Sequence, residues 1–156
     1  MTIDSNIRFA DGAHKAFYME RSQKPNDVYL RALIYTLGIC GDTRRNFDSI
    51  YDGSKREIIP DAIFQPWQTG SSLKVTRLAF QLFTDTVPTA FLGEVFNIDE
   101  CMRYSVSDIF CCSFAPYFFE SIYLRYHEYI DQARYSGCCE DLGFSGINAN
   151  GASVYR

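Results

Sequence analysis

The sequence lacks the features that mark several large classes of protein. It contains two histidines among 156 residues, which leaves few combinations for a cysteine–histidine nucleophile pair. No apolar run approaches the roughly 20 residues that span a bilayer. The N-terminus, MTIDSNIRF, has neither the basic region nor the apolar region of a secretion signal. We therefore expect a cytoplasmic protein without a membrane partner.

Charge of one sign is not concentrated in any stretch either. The 15 basic and 19 acidic residues give a net charge of -4, and the two signs alternate along the chain. This pattern indicates neither a phosphate-binding stripe nor an acidic face that mimics DNA. Nucleic-acid binding remains an alternative function, and it would depend on Arg44, Arg45, Lys55 and Arg56.

The motifs of nucleotide, zinc-protease and calcium sites are absent from the sequence, and we expect no cofactor. Six cysteines include two adjacent pairs, Cys111-Cys112 and Cys138-Cys139. Four thiolates suit zinc, but adjacent side chains on a helix diverge by about 100° and zinc ligands usually need a spacing of two to four residues. Metal binding by these pairs is the alternative, and burial as small apolar side chains in the reduced state is the expectation.

The two histidines are His14 and His127. Either could activate a cysteine, so a cysteine-dependent enzyme is a second alternative function. His127 falls on the polar side of its helix, where a solvated imidazole is the ordinary expectation.

Hydrophobic periodicity predicts an all-α fold, or a mainly α fold with at most one short strand pair. We expect a compact single-domain bundle of about six helices over residues 1–136. The glycine-rich tail 137–156 is expected to pack on the domain or on a second copy. The predicted helical segments run from Asp11 toward Arg21, over 27–39 with Asn26 as the cap, from 42 to about 51, over 72–84 and 99–102, near 108–112, and over 115–134.

These helices differ in how they are expected to be buried. The helix at 27–39 is apolar nearly all round and should be enclosed. The helix at 72–84 has a polar side with Lys74 and Arg77, which should face solvent or a partner. In the first helix, Ala13, Ala16 and Phe17 are the expected apolar positions, with Met19 as a further candidate.

The last predicted helix, APYFFESIYLRYHEYIDQAR, is rich in aromatic residues. Its expected core face contains Phe118, Phe119, Ile122, Tyr126, Tyr129 and Ile130. On the opposite side, Tyr117, Glu120 and Leu124 form an apolar–acidic patch, which is either a partner-binding surface or a surface covered by the tail. Trp67 is either an interface anchor or a side chain that closes the core.

Two segments, PWQTGSSLKVTRLAFQLF (66–83) and DIFCCSFAPYFFESIYLRYHEY (108–129), carry a resemblance. They resemble a family of small uncharacterised proteins of firmicute bacteria and their prophages, with a WQT segment before an R-x-A-F-x-L helix and an APYF helix that ends in R-Y-x-E-Y. The chain departs from that pattern at His127, where proline is usual. The resemblance covers about a quarter of the chain and implies a phage or mobile-element setting rather than an activity.

The expected function is therefore protein binding. A small helical protein of a phage or mobile element would bind a host or phage protein in the cytoplasm of the bacterial host. An inhibitor of a bacterial defence nuclease, similar to anti-CRISPR proteins, is the most specific form of this expectation. The predicted binding residues are Trp67, Tyr117, Glu120 and Leu124, and a homo-oligomer is compatible with the same surface.

Overall fold

A computed structural model describes residues 6–23 and 26–135 of the chain. Over these residues it contains eight α-helices, which are α1 (Gly12–Arg21), α2 (Val28–Gly38), α3 (Gly41–Arg45), α4 (Phe47–Ile50), α5 (Gly70–Thr84), α6 (Ile98–Met102), α7 (Val106–Phe110) and α8 (Ala115–Tyr135). Two 3₁₀ helices, Pro60–Phe64 and Pro88–Phe91, connect some of them. The mainly α prediction is confirmed.

The one sheet in the described residues is a two-stranded antiparallel hairpin. Strand β1 (Tyr51–Asp52) pairs with β2 (Glu57–Ile58), with Tyr51 opposite Ile58 and Asp52 opposite Glu57. The Asp52 carboxylate accepts backbone hydrogen bonds from Ser54 and Lys55, which closes the turn. This hairpin is consistent with the expectation of at most one short strand pair.

Short-range capping sets several helix starts. The Asp11 carboxylate accepts a hydrogen bond from the His14 amide at 2.7 Å and begins α1. The cap of α2 is Asp27, which accepts from the Leu30 amide at 3.0 Å, so the predicted cap one residue earlier was wrong. Thr69 and Ser72 cap α5 reciprocally.

Helix α2 lies at the centre of the described fold. All residues from Arg31 to Gly38 are buried, and the helix packs against both α1 and α5. Gly38 permits the close approach of α1, because a Cβ at this position would lie 2.7 Å from Cδ2 of His14 and 3.0 Å from Cδ1 of Phe17. The prediction that α2 is enclosed is confirmed.

The buried side of α1 is not the predicted one. His14 and Tyr18 are buried, whereas Ala13 and Ala16 are exposed. Nε2 of His14 donates to the carbonyl oxygen of Tyr35 at 2.8 Å, and Nδ1 accepts from the Ala10 amide at 3.1 Å. Both ring nitrogens are thus satisfied in the neutral form, and burial lowers the pKa of His14 to about 4.

This histidine makes folding stability depend on pH. In the unfolded chain its pKa is near 6.5, so below that pH the unfolded state binds a proton that the folded state excludes. The contribution is complete above pH 6.5 and is lost as the pH falls toward 4. Between pH 7 and pH 5 we expect the free energy of unfolding to fall by about 2 kcal/mol from this group, as measured by urea unfolding at both values.

The His14→Gln variant is the matched control, because it retains an amide at this position but has no titrating group. It should be less stable at pH 7 and should lose about 2 kcal/mol less than the parent between pH 7 and pH 5. An equal loss in both proteins would assign the pH dependence to other groups.

Helix α8 buries Phe118 as expected, but the rest of its buried face differs from the predicted one. Phe118, Ser121, Leu124 and Arg125 are buried, while Phe119 is 67% exposed. Ser121 accepts a hydrogen bond from Thr36 Oγ1 of α2 at 2.9 Å. At 100° per residue, the centre of the buried stripe lies roughly 100° around the helix axis from the centre of the predicted face.

The chain divides after Arg125 into two units. Tyr126 has non-helical backbone angles, φ -122° and ψ 16°, which interrupt α8 at this point. In the second unit Tyr129 is exposed, so its predicted place in the core was wrong. The predicted tail 137–156, including Cys138 and Cys139, lies outside the described residues.

Candidate interaction surface

The predicted patch on α8 is not an open surface. Leu124 is 1% exposed. Oε1 of Glu120 accepts a hydrogen bond from the backbone amide of Arg8 at 2.9 Å, and the Arg8 guanidinium lies 5.5 Å from the ring centroid of Tyr117. The chain's own N-terminal segment therefore contacts Tyr117 and Glu120, and Leu124 is a core residue rather than a partner-binding one.

Two further contacts hold the N-terminal segment in place. The hydroxyl of Tyr35 donates to the backbone carbonyl oxygen of Arg8, and the ring of Phe9 packs at 5.2 Å and 5.8 Å from the rings of His14 and Tyr35. Burial raises the pKa of Tyr35, so its hydroxyl stays protonated and can donate. Residues 8 and 9 are thereby attached to the body at several points.

Trp67, the other predicted anchor, is half-buried just after the Pro60–Phe64 3₁₀ helix. Its neighbour Gln68 donates to the carbonyl oxygen of Ala62 and to Thr76 Oγ1. The hydrogen bond from Gln68 to Thr76 thus fastens this segment to α5.

The four basic residues proposed for nucleic-acid binding each lie beside a carboxylate. Arg44 pairs with Asp11 at 3.5 Å, and its Nη1 also donates to the Gly38 carbonyl oxygen at the end of α2. The other three pairs are Arg45 with Asp42, Lys55 with Asp52, and Arg56 with Asp27. Because each cation is matched locally, these residues do not form a positive stripe of the kind that binds phosphates.

The cysteines that the structure describes differ in burial. Cys40 is buried. In the adjacent pair, Cys111 is exposed and Cys112 half-buried, so the expectation of burial was wrong for Cys111. Within the described residues no three metal-ligating side chains converge. Both nitrogens of His14 bond to backbone groups, which leaves this imidazole without a role as the base of a thiol.

An exposed apolar surface is formed instead by the segment that connects α5 to α7 in the sequence. Five large side chains, between 45% and 78% exposed, contribute to it: Phe91, Val95, Phe96, Ile98 and Met102. We call this the Phe91–Met102 surface. The rings of Phe91 and Phe96 pack with their centroids 5.0 Å apart. Ile98 and Met102 are four residues apart on α6 and therefore share one side of that helix.

Turn-forming residues shape this surface. Pro88 begins the 3₁₀ helix, and Gly93 has φ +91°, a backbone conformation that other residues rarely adopt. The Asn97 amide donates to the Ala90 carbonyl oxygen at 2.9 Å, and its side chain caps α6 by accepting from the Glu100 amide at 3.0 Å. The chain is therefore folded back so that the 3₁₀ helix and α6 lie together.

A half-buried ion pair supports the surface from beneath. Nε and Nη2 of Arg77 on α5 donate to the two carboxylate oxygens of Glu100 at 2.7 Å and 3.0 Å. Thr89 donates to the same carboxylate and also bonds to the Tyr104 hydroxyl. Such a bidentate pair fixes the position of α6 on α5 and also stabilises the contact between them.

The polar side of α5 is consequently covered rather than open. Arg77 is engaged by Glu100, and Lys74 donates to the carbonyl oxygens of Asp108 and Cys111 at the end of α7. The expectation that this side faces solvent or a partner was wrong at these two positions, because Lys74 satisfies carbonyl groups of a neighbouring helix and Arg77 pairs with a carboxylate.

Two carboxylates accompany the apolar side chains. Glu94 and Asp99 are exposed, and neither takes part in an ion pair within the described residues. The apolar surface therefore has an acidic border. Periodicity analysis does not detect this surface, since its members lie on a turn and two short helices. The sequence signal that could have revealed the surface is the high density of large apolar residues among turn-forming residues in 88–102.

A family model described as a family of unknown function (DUF6075) matches residues 4–137. The chain belongs to this DUF6075 family. The match includes the whole Phe91–Met102 surface and the ion pair beneath it. No curated protein and no solved structure matches the chain. Among the described helices of this family member, none is long and apolar enough to cross a membrane.

Proposed function

We propose that this protein acts by binding another protein through the Phe91–Met102 surface. The observation that supports the proposal is the grouping of five exposed large apolar side chains in one stretch of 12 residues. Single exposed apolar residues are ordinary, but a contiguous group rimmed by polar residues is typical of protein interfaces. The ion pair between Arg77 and Glu100 holds the surface in a fixed shape, which lowers the entropy cost of binding.

The charges at the border indicate the kind of partner. Glu94 and Asp99 would oppose an acidic surface and would attract lysine or arginine side chains around an apolar centre. The proposed partner is therefore a protein with an apolar site next to basic residues. The net charge of -4 adds weak long-range attraction to such a partner.

The more specific form of the proposal is a phage or mobile-element protein that inhibits a bacterial defence nuclease. The resemblance of the WQT and APYF segments to proteins of firmicute prophages supports the setting. Nucleases bind the nucleic-acid polyanion through lysine and arginine side chains. The same basic side chains in a nuclease groove would attract the carboxylates of Glu94 and Asp99.

The test replaces Ile98 and Met102 with aspartate in one variant. Both side chains are exposed, so the fold should persist, and two added charges should weaken an apolar interface by about tenfold or more, equivalent to about 1.4 kcal/mol. Partners captured from firmicute lysate by the parent protein would be purified, and their dissociation constants measured by calorimetry.

Met19→Asp on α1 is the matched control, because Met19 is also exposed but lies outside the Phe91–Met102 surface. The control should bind as the parent does, and circular dichroism should show that both variants are folded. If the Ile98/Met102 variant binds every partner with unchanged affinity, the surface is not the binding site.

The nuclease form has its own readout. Expression of the parent protein in a bacterium that carries the captured nuclease should restore phage plating, and the Ile98/Met102 variant should not. If the captured partners are not nucleases and phage plating does not change, the nuclease proposal is contradicted. The proposal that the protein binds another protein would still stand.

A further inference from the structure

A cleft of about 270 Å³ lies between α1, α2, α4 and the turn after β1. Its floor is apolar and consists of Leu30, Ile34, Phe47 and Tyr51, of which the last three are buried. The volume lies just below the 300–1,000 Å³ range that is typical of small-molecule sites. The cleft therefore has room for a compact ligand only.

A fixed cation stands at the rim of this cleft. The guanidinium carbon of Arg21 lies 4.5 Å from the ring centroid of Phe47 and 4.9 Å from that of Phe17, so two aromatic faces hold it. Its ion pair with Asp48 is long, at 4.0 Å, and the Asp48 side chain is 93% exposed. Since a guanidinium has five N–H donors, the contacts of Arg21 with the described residues leave most of them available to a ligand.

The remaining polar residues at the rim limit the charge of that ligand. Glu20 and Gln23 also line the cleft, and the Glu20 carboxylate would repel a second negative charge. A single carboxylate placed at Arg21 can accept two parallel hydrogen bonds from the guanidinium. We infer that this cleft is a binding site for a small monocarboxylate with an aromatic or branched apolar body.

The cleft can be filled by substituting one of its lining residues, Gly53, without disturbing its walls. Gly53 lines it, and a Cβ at this position would meet only Cε1 of Tyr51, at 3.9 Å. Gly53 is not among the residues with positive φ, so a larger side chain is tolerated by the backbone. Gly53→Phe should therefore fill the cleft while Arg21 stays in place.

Three probes cover the proposed class: phenylacetate, indole-3-acetate and isovalerate, with phenylacetamide as the uncharged analogue of the first. Binding would be followed by the methyl resonances of Leu30 and Ile34 during titration of the full chain. At least one carboxylate should give saturable shifts at these methyl groups. Phenylacetamide and the Arg21→Gln variant should each show binding about tenfold weaker, the size expected for losing a charge-assisted hydrogen bond.

Arg45→Gln is the matched control, because Arg45 is exposed and pairs with Asp42 outside the cleft. It should bind the probes as the parent does, and Gly53→Phe should abolish the shifts. The absence of saturable shifts with all three carboxylates, equal affinity for phenylacetamide, or unchanged binding by Gly53→Phe would each overturn the inference. The Ile98/Met102 variant should retain probe binding, so this result is separate from the proposed protein interaction.

Discussion

Leu124→Ala should lower the free energy of unfolding by about 3 kcal/mol, whereas Phe119→Ala should lower it by less than about 1 kcal/mol. Both residues are large, apolar and in the first half of α8, but Leu124 is 1% exposed and Phe119 is 67% exposed. Removing the Leu124 side chain leaves a cavity in close-packed surroundings. Removing the Phe119 ring loses mainly its edge contact with Phe110, 5.3 Å between ring centroids.

Urea unfolding of the two variants, monitored by circular dichroism, measures this difference. The comparison decides which face of α8 meets the core, because hydrophobic periodicity alone favours Phe119 and the structure favours Leu124. A larger loss for Phe119→Ala than for Leu124→Ala would contradict the register of α8 seen in the structure.

Arg125→Leu should also destabilise the fold by about 3 kcal/mol, because the Leu82 carbonyl oxygen and the Asp85 carboxylate lose a nearly buried donor. Arg125 is 8% exposed on its side-chain surface. Its Nε donates to the Leu82 carbonyl oxygen at 3.0 Å, and its Nη2 contacts both oxygens of Asp85 at 3.1 Å and 3.2 Å. The guanidinium also stacks on Tyr29, with its carbon 3.7 Å from the ring centroid.

These contacts place Arg125 at the C-terminal end of α5, where carbonyl groups lack partners within the helix. Asp85 ends that helix with φ +56°, a left-handed conformation that its short polar side chain tolerates. Arg125→Leu leaves the Leu82 carbonyl oxygen without this donor. Arg125→Lys should recover only part of the loss, since an ammonium cannot stack on Tyr29 and fork toward Asp85 together.

Arg103→Leu is the control for the loss of a positive charge. Arg103 is mostly exposed, and its pair with Asp108 is 3.7 Å long, so its removal should cost less than about 0.5 kcal/mol. Urea unfolding at low and high salt measures both effects. Equal losses for the Arg103 and Arg125 variants would show that the contacts of Arg125 do not stabilise α5.

Part of the fold is determined by interactions between residues that are close together in the sequence. Asp11, at the start of the first predicted helix, caps that helix because its carboxylate accepts from an amide three residues along the chain. Helix α2 was identifiable as enclosed, since its apolar residues point in nearly all directions. In both cases the deciding interactions are local or depend on composition alone.

The predicted patch failed for a different reason. Glu120 and Tyr117 are contacted by Arg8, which is more than 100 residues away along the chain. Nothing in the local pattern of α8 encodes this contact. The Phe91–Met102 surface was missed because exposure at a turn depends on what the surrounding chain leaves uncovered.

By itself, the sequence determined the helical class of this protein, the starts of most helices to within two residues and the enclosed position of α2, because capping and periodicity act over a few residues. Only the tertiary structure decided which faces are buried. His14, Ser121 and Arg125 are polar in any hydrophobicity pattern, yet each is buried where a distant backbone or side-chain group completes its hydrogen bonds. Those partners, Tyr35, Thr36 and Leu82, are brought to them by folding, which is why no local signal placed them.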